Sequence, residues 1–312
     1  MSTIHNFRFG VLAARKVTWQ KWQDTARGIE AAGFSTLLMT DHLGGDRLSP
    51  LPALVSAADA APSLRVGTIV LNNDLRHPAV LAKDVATVDI LTDGRFELGL
   101  GAGWEHADYV RSGLPYDRAG VRVDRLEESL AILDALFTGE TVTYSGEYYT
   151  ITDLPALPKP AQAPRPPFLV GGGGKRVLSV AARMADIVGI HVRARTDGNG
   201  QDWTSATRQD VEQKVGWVRT AAGARFSQLE LCQNVFSVVV THDRQATERE
   251  MTARFGLSAA AILESPYFLL GSVEQIGDQL LENRQRFGIS YIITPDVFLD
   301  ALAPVVANLA GT

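Results

Sequence analysis

The sequence predicts a single (β/α)8 TIM barrel over residues 1–312, with an insertion at about 138–167 before the fifth strand. Three observations carry this. Short apolar runs of the kind that fully buried parallel strands show alternate with helical patterns through the whole chain. The 312 residues, 46% of them hydrophobic, suffice for one large α/β barrel. The residues able to do chemistry gather where strands end, while strand starts read plainer, as expected of a barrel whose site is built from the loops at one mouth. The competing architecture is an open doubly wound sheet.

The elements follow in order. Phe7–Ala13 is the first strand, and Thr18 begins a helix that Gly33 closes. Thr36–Thr40 is the second strand and runs into Asp41 and His42. Pro52–Ala61 is a short Ala-rich helix, and Leu64–Leu71 the third strand, ending at Asn72 and Asn73. His77–Pro78 opens the next helix, with Pro where its missing N–H is not needed. Phe96–Leu100 is the fourth strand and leads into Trp104, Glu105 and His106. Val123–Phe137 is an amphipathic helix, and Val142–Ile151 a hairpin turning at Ser145–Gly146. Pro155–Pro167 holds six prolines and reads as irregular surface chain. Phe168–Val170 is the fifth strand, Asp186–Val192 the sixth, and Thr196–Gln201 a mobile loop before a helix at Thr207–Ala222. Leu229–Thr241 reads as one long seventh strand, and Ala246 to about Leu270 as helical. Ser272 and Gln275 form a capping box, Ser290–Thr294 is the eighth strand, and Phe298–Leu309 the closing helix.

A net charge of −5 excludes the basic stripe of a nucleic-acid binder. No window approaches the 18 or so apolar residues of a membrane span, and the start of the chain lacks a signal-like pattern. A soluble cytoplasmic protein acting on a small molecule is expected, without nucleic-acid or membrane partners. One cysteine, Cys232, excludes an intrachain disulfide and reads as buried core.

Gly171, Gly172, Gly173 and Gly174 stand between the fifth strand and a helix, followed by Lys175 and Arg176. Glycines there leave free backbone N–H groups at the positive end of the helix dipole, a cradle for a phosphate. The loop lacks Walker spacing, and a plain flexible turn is the alternative. His42 could pass a proton near neutral pH, with the Asp41 carboxylate orienting it or holding a ligand. Trp104 could stack on a flat ring or plug the mouth, and Glu105 could be a second acid–base group or an exposed loop residue. No spacing of His, Cys and carboxylates suggests a metal.

Taken together these residues resemble the bacterial-luciferase-like flavin and deazaflavin oxidoreductases. The resemblance rests on Leu64–Trp104, on Thr40–His42, on the glycine loop with its helix, and on Leu114–Gly139, and it covers nearly the whole chain. It implies a TIM barrel holding a flat tricyclic cofactor across the mouth, with the cofactor phosphate at the glycine loop. The Asp41–His42 pair is similar to the branch that uses coenzyme F420, with FMN the alternative. By position, Asp41 would contact the ring system, and His42, with Glu105, would be the acid–base groups. Ile69–Val70 would be a cis peptide bulging against the ring, with Asn72, Trp104 and Lys175 among the binding residues. The chain departs from part of the branch in placing Trp104 where some members have a glutamate, with Glu105 one place later. A homodimer is expected by analogy alone.

The implied activity is hydride transfer between F420 and a small organic substrate. Three alternatives stay open: an FMN-dependent monooxygenase using reduced flavin and O2, a non-redox barrel enzyme acting on a phosphate ester, and a non-catalytic cofactor-binding relative.

Overall fold

The structure, a computed structural model, describes residues 5–13 and 17–312. Eight parallel strands close into a ring: β1 (Arg8–Leu12), β2 (Thr36–Met39), β3 (Arg65–Thr68), β4 (Phe96–Gly101), β5 (Phe168–Gly172), β6 (Ile187–Ile190), β7 (Glu230–Asn234) and β8 (Ile289–Pro295). Closure comes from β8 pairing with β1, Phe9 opposite Ile292, while every other strand pairs with its sequence neighbour. The open sheet is thereby excluded.

Alternation decides which way each side chain points. Leu38, Ile69, Leu169, Ile187, Cys232, Tyr291 and Ile293 fill the barrel interior. The other face packs on the helices through residues such as Phe9, Leu37, Val170 and Val188. Cys232 is buried and free, and burial pushes its thiol up, so it is an inert core residue.

The strand starts are less plain than the sequence suggested. Arg8, Arg65, Glu97 and Glu230 meet at the N-terminal floor, with Arg8 at 2.5 Å from Glu97 and 2.6 Å from Glu230, and Arg65 at 2.7 Å from Glu97. Burial alone would push the Glu97 carboxyl up, but the two guanidinium groups outweigh it and hold it below the usual range. One end of the barrel is therefore sealed by paired charges, and the other is left open.

The helices are α1 (Trp19–Ala31), α2 (Pro50–Ala60), α3 (Pro78–Leu91), α4 (His106–Ser112), α5 (Ala119–Thr138), α6 (Lys175–Met184), α7 (Arg208–Ala222), α8 (Arg244–Phe255), α9 (Ala259–Glu264), α10 (Val273–Phe287) and α11 (Leu299–Leu309). The capping box at Ser272 and Gln275 is formed. Three expectations need correction. The seventh strand stops at Asn234; Ser237–Val240 is a separate strand pairing with Phe268–Gly271 outside the barrel. The switch occurs where the Val235 amide bonds Ile293 and the next amide, of Phe236, bonds Tyr267. The helical region therefore ends at Glu264 rather than near Leu270. The hairpin pairs Thr141–Ser145 with Thr150–Pro155, and its turn spans Gly146–Tyr149. There the Glu128 carboxylate accepts from the amides of Glu147, Tyr148 and Tyr149, so α5 fixes the turn. The loop at 195–200 closes a small hairpin, Arg193–Ala194 against Gln201–Asp202.

Candidate active site

A cavity of about 510 Å³ opens at the C-terminal ends of the strands. Its wall includes Asp41, His42, Ile69, Val70, Asn72, Trp104, Glu105 and Gly171 to Gly174. Of the catalytic and cofactor-binding residues expected from the sequence, Lys175 alone stands outside this wall; it is exposed on the first turn of α6.

Between β2 and β4 the polar groups interlock. His42 is partly buried, and its Nδ1 lies 2.8 Å from Asp108 Oδ2 and 3.0 Å from Glu105 Oε2. Trp104 stands edge-on to the imidazole, with centroids 5.6 Å apart. The Asp41 carboxylate is buried and occupied: it accepts two bonds from Arg76, at 2.5 and 3.1 Å, and one from the Asn72 amide at 3.1 Å. It ties the tip of β2 to the segment beyond the cis Ile69–Val70 bond. The Asn72 side chain accepts from the Tyr109 hydroxyl at 3.2 Å, and that hydroxyl also lies 2.9 Å from Asp74. Arg125 of α5 closes the set with a forked contact to Asp74, both arms 2.9 Å. These pairs hold the mouth as one rigid unit.

Across the mouth, Gly174 is the N-cap of α6, and no side chain caps the helix. Its first-turn amides and dipole therefore remain available. At Gly173 an added Cβ would lie 2.5 Å from the Arg193 backbone nitrogen, so the loop packs where no side chain fits. At Gly174 it would meet nothing within 4 Å, so a side chain there would project into open space. An uncapped helix N-terminus beside open space has room for an anion such as a phosphate. Arg176 lines the cavity beside it and pairs with Asp124.

The third wall comes from β6, β7 and the chain after them. His191 lies against the glycines of β5 and β6, where a Cβ on Gly171 would approach its Nε2 to 2.4 Å. Burial, with the Lys214 ammonium nearby, pushes its imidazole down to about 4, so it is neutral near pH 7. Lys214 is itself buried and pushed down to about 8 by desolvation, and it donates to the Ser205 carbonyl at 2.7 Å. Asn234 Oδ1 is a buried acceptor without a partner, on the cavity wall. A ligand donor would satisfy it.

Reading by sequence missed Asp108, Arg76, Arg122 and Asn234. Two of them act through contacts distant in sequence: Asp108 meets His42 66 positions away, and Arg76 meets Asp41 35 positions away. The fold brings together a cluster that sequence spacing does not reveal: the candidate ligand atoms of His42, Glu105 and Asp108 all lie within 4.8 Å of one another. The Asp108 oxygens are already taken by His42 and by the amides of Leu43 and Gly44.

A closed (β/α)8 barrel with a cavity, an uncapped helix N-terminus and a histidine at the same mouth is a TIM-barrel protein whose candidate site lies at the C-terminal ends of its strands. The chain belongs to the luciferase-like monooxygenase family, whose model matches residues 1–286. It is 34% identical over 164 residues to the F420-dependent glucose-6-phosphate dehydrogenase of Microbacterium testaceum, covering 50% of this chain and 48% of that protein. It is 27% identical over 176 residues to the FMNH(2)-dependent dimethylsulfone monooxygenase of Pseudomonas putida, covering 56% of this chain and 44% of that protein. The chain thus spans about half the length of the curated relatives it matches. Among solved structures, the coenzyme F420-dependent tetrahydromethanopterin reductase of Methanopyrus kandleri superposes with a TM-score of 0.77 at 16% identity, over 98% of this chain and all of that one (100%). That likeness concerns the fold.

Proposed function

We propose that this protein is an oxidoreductase moving a hydride between coenzyme F420 and a small organic substrate. The observation that carries the reading is the shared mouth: the uncapped α6 terminus with its open Gly174, and His42 with its carboxylates, face one cavity. The similarity to F420-dependent dehydrogenases supports the choice of cofactor. A bound deazaflavin would supply the carbon that takes or gives the hydride. The chain's own residues would do the rest. Gly173, Gly174 and the first amides of α6 would bind the phosphate, Ile69, Val70 and Trp104 would bound the ring, and His42 would hold or release the proton that accompanies the hydride.

The test is parallel fluorescence titration with F420 and FMN, followed by turnover assays. F420 should bind with Kd on the order of micromolar, and FMN more weakly. The relation to an FMNH(2)-dependent monooxygenase favours a second reading on the same fold. Tight FMN binding with oxygen consumption by reduced flavin would replace the first reading with that one. We further propose, by analogy with the family, a cytoplasmic homodimer; a monomer mass in light scattering would overturn it.

A further inference from the structure

Asp108 has an arrangement that the proposed chemistry does not by itself require. It is buried, on the first turn of α4, with each carboxylate oxygen assigned to a different task. Oδ1 accepts from the amides of Leu43 at 3.0 Å and Gly44 at 3.2 Å. Oδ2 faces His42 Nδ1 at 2.8 Å. Those two amides belong to the residues directly after His42, so one carboxylate fixes both the imidazole and the backbone that carries it. Glu105 approaches the same nitrogen at 3.0 Å from a half-exposed position at the cavity rim. It lacks the backbone anchors.

We propose that Asp108 is the positioning residue of His42: it holds the proton on Nδ1 and leaves Nε2 with its lone pair, as the acceptor for the substrate proton. The chemistry is that of a neutral imidazole, which has one N–H and one bare nitrogen. A carboxylate is acceptor-only when ionised, so the nitrogen facing it must carry the hydrogen. This rests on the function proposed above. If the substrate is an alcohol, its C–H leaves as hydride with two electrons, taken up by the deazaflavin. Its O–H proton passes to Nε2, a carbonyl forms, and Asp108 faces the resulting imidazolium. In the reverse direction the same Nε2–H returns the proton. The Glu105 carboxylate, which accepts from no backbone amide among the described residues, stands partly exposed at the rim.

The tautomer can be read without any cofactor. In full-length protein labelled with 15N-histidine, long-range 1H–15N spectra at mildly alkaline pH report which ring nitrogen carries hydrogen. The His42 signals are assigned by their loss in His42→Ala. His42 should show a protonated Nδ1 and a bare Nε2. Asp108→Ala, checked for folding by circular dichroism, should shift it towards the Nε2–H form, and Glu105→Gln should leave it unchanged. With F420 bound, Asp108→Asn should lower kcat by roughly 10- to 100-fold with little change in KM. A wild-type His42 protonated on Nε2 would overturn the proposal even if no variant folds. So would an unchanged tautomer in Asp108→Ala, or a change produced by Glu105→Gln alone. Failure to bind F420 with the stated tautomer intact would count against the cofactor and not against Asp108.

Discussion

Two adjacent glycines make opposite demands on the chain. Gly173→Ala would drive a methyl into the Arg193 backbone, 2.5 Å from its nitrogen, where nothing can yield cheaply. We expect that variant to lose about 2 to 3 kcal/mol in urea unfolding, in the range of overpacking. Gly174→Ala meets no atom within 4 Å and keeps its extended backbone, φ −104° and ψ 152°. It should cost at most about 1 kcal/mol as a poorer N-cap, yet weaken F420 binding about tenfold or more by filling the cradle. Equal loss of stability in the two variants would contradict the assignment of the cradle. His191 gives a second expectation. Its folded value of about 4 lies below the unfolded 6.5, so between those values the unfolded chain binds more protons. The stability it contributes is full above pH 6.5 and is lost as pH falls towards 4. The loss should be about 1 to 3 kcal/mol, the lower figure allowing for partial exposure of the ring. Urea unfolding across that window, with His191→Gln removing the slope, checks it.

At the scale of elements, the β2 tip depends on one pair. Arg76→Ala would leave the Asp41 carboxylate buried with only the Asn72 amide to answer it. The expected loss is about 2 to 4 kcal/mol in urea unfolding, because an uncompensated buried charge costs more than the pair contributes. A double variant with Asp41→Asn should recover much of it; a loss under 1 kcal/mol for Arg76→Ala would show that the carboxylate finds water instead. The same scale shows what was legible from sequence. The barrel strands were, because runs such as TLLM and FLVGG are short, apolar and bounded by turns. Phe268–Gly271 was not, since its apolar residues follow a helical stretch and the strand exists only through pairing with Ser237–Val240. The run LCQNVFSVVV offers no break at Asn234, and the change of partner there is a tertiary event. Propensity and period carry no information about which neighbour a strand meets.

For the whole molecule, the two barrel ends divide the work. The floor carries Arg8, Arg65, Glu97 and Glu230, paired and mostly buried, and the mouth carries the cavity. Residues at the strand ends were legible because the fold places site chemistry there: His42, Trp104, Glu105 and the four glycines stand on the cavity wall. The groups that hold them, Asp108 and Arg76, were illegible because α4 and the segment after β3 reach β2 only in three dimensions. The central claim is that one mouth grips an anionic tail at α6 and sets a flat redox ring beside His42. A crystal structure of the protein soaked with F420 tests it most directly. Phosphate oxygens should lie on the amides following Gly173, and the deazaflavin ring between Val70 and the His42 side of the cavity. A ring bound with its phosphate away from α6, or a ring out of reach of His42, would contradict it.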